Sequence, residues 1–128
     1  FNTFGGNPVA AAAGSAVLDV IRDEDLQTNA ATVGAHLATR LRKLAENDTR
    51  IGAVRGAGLF IGLDLCAGGE PDPDFATTVI NAMRERHVML GACGKYGHTL
   101  KIRPPLCLSQ AEANIFADAL TETLAAHG

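Results

Sequence analysis

Hydrophobic positions recur with a helical period at the start of this chain. Val9 to Arg22 is rich in alanine and carries Val17, Leu18, Val20 and Ile21, which predicts a helix buried on much of its surface. Asn7 is a good N-cap for it, and Pro8 suits the first helical position, where a missing N–H costs nothing. Asp23-Glu24-Asp25 breaks that helix. A second follows with Leu26, Ala30, Val33, Leu37, Leu41 and Leu44 at spacings of three and four, and Arg40, Arg42 and Lys43 favour its C-terminal dipole. From Ile51 the period falls to two. Leu59, Ile61, Leu63 and Leu65 alternate with Phe60, Gly62 and Asp64, which predicts a strand, with Gly56 and Gly58 allowing a tight turn near its start. Residues 67–74, holding Gly68, Gly69, Pro71 and Pro73, read as a surface loop. Phe75, Val79 and Met83 return to helical spacing as far as Arg86. Val88-Met89-Leu90 predicts a short strand, 91–97 a turn-rich link, and 99–103 a last strand stopped by Pro104-Pro105. Ser109 and Glu112 form a capping box before a final helix with Ile115, Phe116, Leu120 and Leu124.

The predicted order is helix, helix, strand, helix, strand, strand, helix. This is an α+β arrangement: a few-stranded sheet with helices packed on one face, preceded by long helices that pack against something outside these residues. Composition agrees with a globular domain, since 47% of the 128 residues are apolar and 20% charged. A formal charge of −3 gives no field to hold nucleic acid, so none is expected as a partner. The longest weakly polar run, Val9 to Leu18, is about half a membrane span and contains Ser15, so no membrane is expected either. Cys66, Cys93 and Cys107 form no CxxC pair and read as buried or incidental thiols of a reducing, cytoplasmic compartment, and no signal peptide is expected. The chain begins at Phe1, inside what reads as a motif, and is expected to be a piece of a longer polypeptide.

Two places could carry chemistry. In Thr3-Phe4-Gly5-Gly6-Asn7-Pro8, two glycines let backbone N–H groups converge, Thr3 offers a hydroxyl, and a helix N-terminus follows. That is the chemistry of a phosphate-binding corner, although short glycine loops are also common as plain turns. In the last strand, alternation puts Leu100 and Ile102 on one face and Thr99, Lys101 and Arg103 on the other. Two cations before a rigid Pro-Pro could clamp a carboxylate or phosphate, or simply face solvent. Among the histidines, His98 lies in the link before the last strand and could approach a ligand, while His87 ends a helix. No pair of them has metal-ligand spacing, so no metal is expected. Asp64 is expected to be exposed, and Arg55 to anchor a turn through backbone carbonyls.

Three motifs in order carry a resemblance: Thr3 to Pro8, then Val54-Arg55-Gly56-Ala57-Gly58-Leu59-Phe60, then Leu100-Lys101-Ile102-Arg103-Pro104-Pro105-Leu106. The series resembles the C-terminal part of class III pyridoxal-phosphate-dependent aminotransferases, of fold type I, over essentially the whole chain. The resemblance implies that 1–49 is the end of the large cofactor domain with connecting helices, and 50–128 the small C-terminal α+β domain. It implies pyridoxal 5'-phosphate as cofactor, with Thr3 bonding its phosphate across a homodimer interface and Asn2 beside it, so that two subunits share the site. The Schiff-base lysine would lie upstream, and none of Lys43, Lys95 or Lys101 stands at its place, so no catalytic residue is expected here. The substrates implied are an amine or amino acid and a keto acid, with Lys101 and Arg103 binding substrate. Many members carry arginine at the position of Lys101 to grip an α-carboxylate, and a lysine cannot reproduce that fork. The Leu-Lys-Ile-Arg-Pro-Pro form looks more like a sub-branch related to ethanolamine-phosphate phospho-lyases. Transamination is therefore the leading expectation, with a phospho-lyase or a catalytically silent module of the same fold as alternatives.

Overall fold

The computed structural model describes residues 2–127. Helix α1 spans Pro8–Asp23, with Pro8 in its first turn and the Asn7 side chain accepting from the Ala10 N–H at 2.9 Å. Asp25 takes a left-handed φ of 49°, which ends that run and turns the chain into α2, Leu26–Ala45. Strands β1 (Ile51–Ala57) and β2 (Phe60–Ala67) form a hairpin, and β3 (Glu70–Pro71) pairs only with the end of β2. Helix α3, Pro73–Glu85, is capped by Asp72, whose side chain accepts from the Phe75 N–H at 2.8 Å. Strands β4 (Gly91–Cys93) and β5 (Thr99–Ile102) precede α4, Gln110–Ala126, which opens on the Ser109–Glu112 capping box.

The strands form an antiparallel sheet in the order β1-β2-β5-β4, with Leu63 opposite Leu100 and Ile61 opposite Ile102. Burial alternates along β2: Ile61, Leu63 and Leu65 are buried, while Gly62, Asp64 and Cys66 are not. The buried face joins Leu37 and Leu41 of α2, Val79 and Met83 of α3, and Leu120 and Leu124 of α4 in one apolar cluster. Helices thus cover one face of the sheet, as the α+β pattern predicts, and the other face carries the polar residues. No described helix is long and apolar enough to cross a membrane.

Helix α1 has no residue buried within this chain, and Val9, Val17, Leu18 and Val20 are exposed, its one neighbouring element among the described residues being α2, as expected of a helix that packs against something outside these residues. Three expectations are corrected. The single strand expected after Ile51 is two strands, since Gly58 adopts φ +53° and reverses the chain before Phe60. The loop expected at 67–74 contains β3 and the start of α3. Val88-Met89-Leu90 is not a strand, and pairing begins at Gly91. The Val88 N–H bonds back to Met83 O (2.9 Å) and the His87 N–H to Arg84 O (2.9 Å), a Schellman turn that takes up the residues before β4.

Candidate functional site

Strand alternation and register place three cations on the uncovered face of the sheet. Arg55 lies opposite Gly62, Gly62 opposite Lys101, and Lys101 opposite Gly91. Lys101 is therefore flanked on both neighbouring strands by residues without side chains, which leaves room above the sheet around it. Arg103 follows just beyond the end of β5 and is exposed. Neither Lys101 nor Arg103 belongs to an ion pair among the described residues.

Arg55 does not share this freedom. Its guanidinium grips the Asp64 carboxylate with two nitrogens, Nη2 at 2.8 Å from Oδ1 and Nη1 on Oδ2. The Thr99 hydroxyl donates to the same Oδ1 at 2.5 Å, and His98 Nε2 stands 3.8 Å from it. Burial pushes the Asp64 carboxyl upward, but the hydrogen bonds from Arg55 and Thr99 and the nearby positive charge outweigh it and hold the group below the usual carboxylate range. This overturns two expectations. Asp64 is not exposed, with only 14% of its side chain accessible, and Arg55 bonds a carboxylate across the hairpin instead of backbone carbonyls. The cause is lateral: Thr99 and Arg55 lie on strands flanking Asp64, and they cover it. One cation of three is thereby neutralised, and Lys101 and Arg103 remain to meet an anion. The His98 side chain is 13% exposed. Its Nδ1 is buried without a partner.

Lys101 and Arg103 line an open cavity of about 670 Å³ whose apolar wall includes Leu90, Pro104, Leu108 and Phe116. On its other side Arg103 borders a shallower recess of about 280 Å³ with Ala30, Phe60, Pro104 and Leu106. Thr3 and Asn2 border neither. They lie in the exposed turn before α1, where the Gly5 N–H bonds Asn2 O (3.4 Å) and a Cβ at Gly5 would collide with the Asn2 amide. The Thr3 hydroxyl has no hydrogen-bond partner among the described residues. A free hydroxyl and a tight glycine turn at a helix N-terminus suit a phosphate group such as that of pyridoxal phosphate. The two groups of candidate residues are thus not brought together within this chain.

Sequence reading missed Asn29. Its side-chain amide donates to Leu106 O at 2.7 Å and to Leu108 O at 3.0 Å, tying α2 to the segment after Arg103. The only local signal was an asparagine inside a helix, where its intrinsic propensity is poor. Among the described residues no group of His, Cys, Asp and Glu could hold a metal ion.

A family model described as "Aminotransferase class-III" matches residues 1–124. An Arabidopsis thaliana protein named alanine–glyoxylate aminotransferase 2 homolog 2, mitochondrial, is 42% identical over 94% of this chain. A Caenorhabditis elegans protein named ethanolamine-phosphate phospho-lyase homolog 1 is 40% identical over 97%. Among solved structures, a phospholyase from Arthrobacter in complex with phosphoethanolamine superposes with a TM-score of 0.94 at 40% identity over 98% of this chain. An amine transaminase from an uncultivated Pseudomonas species, in its PLP-bound form, superposes at 0.88 with 37% identity over 99%. This chain spans 26% and 27% of the two named relatives and 30% and 29% of the two solved chains.

Proposed function

The chain belongs to the class III aminotransferase family, and on that footing we propose that the protein containing it is a pyridoxal-phosphate enzyme that moves an amino group from a primary amine or amino acid to a keto acid. The observation that carries this reading is the strand end at Lys101 and Arg103, two cations that have no ion-pair partner among the described residues and both line one open, largely apolar cavity. The pair binds the anionic group of the substrate: Lys101 as a point charge above a glycine floor, Arg103 with a planar fork beyond it. Arg55 stays out of that contact because Asp64 already occupies its fork.

Pyridoxal phosphate, when bound, supplies the electron sink for the charge left when a proton leaves the carbon beside the amine. Thr3 holds its phosphate through the free hydroxyl, and Asn2 closes over Gly5 to shape that turn. Thr3 and Asn2 serve the site of a second copy in a homodimer, which fits their separation from the Lys101 cavity. Residues 1–49 then end the large domain and 50–128 form the small one, with the buried stripe of α2 as their join. The lysine that moves the proton lies elsewhere in the polypeptide. The compartment in this reading is the cytoplasm, supported by three free thiols, while the Arabidopsis relative is named mitochondrial.

A second reading, a phospho-lyase on a phosphorylated amino alcohol, is favoured by Lys101 itself. A compact ammonium suits a phosphate as well as a carboxylate and does not demand the planar, two-oxygen geometry that arginine selects. The test uses the full-length protein loaded with cofactor. Sustained release of inorganic phosphate from phosphoethanolamine, with no keto acid present, establishes the lyase reading and displaces the first. No release, with amino transfer from a panel of donors to pyruvate or 2-oxoglutarate, establishes the aminotransferase. Neither activity overturns both.

A further inference from the structure

The segment from Arg103 to Ser109 has few ways to hold its shape. Pro104 and Pro105 have no N–H to donate, so the strand ladder stops at Ile102. The next fixed point is the Ser109–Glu112 capping box of α4. Between them, the Leu108 N–H reaches Pro105 O at 3.0 Å, a turn internal to the segment. Leu108 packs against the core, and among the described residues the side-chain hydrogen bonds that tie the segment to the rest of the fold come from Asn29. A carboxamide has two N–H donors, and here one goes to Leu106 O and one to Leu108 O, 77 and 79 residues away in sequence.

We propose that Asn29 is a positioning residue for the substrate-anion grip, acting through Arg103. The two prolines make the connection stiff, because their φ angles are fixed. A shift of the carbonyls at Leu106 and Leu108 therefore passes back to Arg103 instead of being absorbed between them. Asn29 also sits beside Ala30, which borders the recess that Arg103 and Pro104 share with Leu106. The clamp sets how far Arg103 stands from α2, and so where its guanidinium meets the anion. This rests on the assignment of Arg103 to substrate binding made above.

The test is a double-mutant cycle on the full-length holoenzyme, using the amine substrate with the highest kcat/KM in the panel described above. N29L keeps the side-chain bulk and removes both donors. It raises KM on the order of tenfold while kcat stays within about twofold, since misplacement of a binding group is felt in substrate affinity. R103A raises KM as well. In the R103A background, N29L adds less than about a twofold further rise, because the group it positions is gone. N29Q, which keeps the amide on a longer stem, recovers part of the loss. If N29L fails to fold, N29S enters the same cycle. An unchanged KM in the donor-free variant, or the same factor in both backgrounds, overturns the proposal and leaves Asn29 a structural anchor. If R103A itself leaves KM unchanged, the assignment of Arg103 has failed instead, and the positioning role falls with it.

Discussion

Helix α2 reaches the β1–β2 turn through a contact with no side chain on either side. Gly34 is buried, and a Cβ built on it would lie 2.8 Å from Gly58 Cα and closer still to that residue's carbonyl, where ordinary contact begins near 3.4 Å. Gly34→Ala therefore forces backbone away from backbone. The turn yields poorly: Gly58 is held at φ +53°, and Leu59 beside it is only 5% exposed, seated in the core. Overpacking of a tight interior costs about 1–3 kcal/mol, and a clash with main chain belongs at the upper end, near 3. Alanine returns about 1 kcal/mol through its better helix propensity. The net loss is about 2 kcal/mol, roughly thirtyfold in the local opening equilibrium. Hydrogen exchange of the Ile61 and Leu63 amides, measured in the full-length protein, reads the opening of this unit. Exchange accelerates by about that factor. Unchanged or slower exchange would show that the helix and the turn accept a methyl group between them, and the argument from close approach would fail.

His87 closes the Schellman turn after α3 with φ 62°, a conformation that strains an L residue. His87→Gly relieves that strain at some cost in chain entropy and raises stability by about 0.5–1 kcal/mol, read as a higher melting temperature; a lower one refutes it. Thr3→Ala removes a hydrogen bond to a charged phosphate, about 1.5–3 kcal/mol, so cofactor dissociation, followed by absorbance on the full-length protein, strengthens by roughly tenfold or more. An unchanged dissociation constant removes Thr3 from the phosphate corner.

The elements with a partner inside the chain were legible from it. The stripe Val33, Leu37, Leu41 is buried as its spacing predicts, and the Asn7 and Ser109 caps form because a cap needs only residues three positions away. What failed was whatever depends on something non-local. The apolar content of α1 gave the right helix, but its burial requires a surface to meet, and these residues supply only α2. Val88 to Leu90 have strand-like composition, yet the Val88 N–H is already bonded to Met83 O at the α3 terminus, and strand pairing starts only at Gly91. The clamp of Asn29 joins positions nearly eighty residues apart, and no pattern within a helix reveals it.

The site shows the same division, and Asp64 gives it a measurable form. Alternation correctly put Asp64 on the face opposite the core, and from that alone it reads as exposed. Only the register, which sets Thr99 and Arg55 beside it, turns it into a covered and paired carboxylate. A carboxyl whose pKa is lower folded than unfolded binds fewer protons in the native state, so its stabilisation is fully present above the ordinary range near 4 and disappears as pH falls through the depressed folded value. Asp48, held low by its hydrogen bonds from Arg50, adds a loss of the same sign, so acid lability of the parent alone identifies neither group. The difference between parent and Asp64→Asn isolates one. Near neutrality the substitution costs about 1.5 kcal/mol, the low end for hydrogen bonds to a charged group, because Arg55 is 56% exposed and keeps much of its hydration. Below the depressed folded value of Asp64 the two proteins converge, since the parent's carboxyl has then been protonated as well. Measured as unfolding stability from pH 7 downward, a gap that stays constant through the acid range would mean that the interaction is one of shape and not of charge, and Arg55 would return to the pool of cations free to meet the substrate.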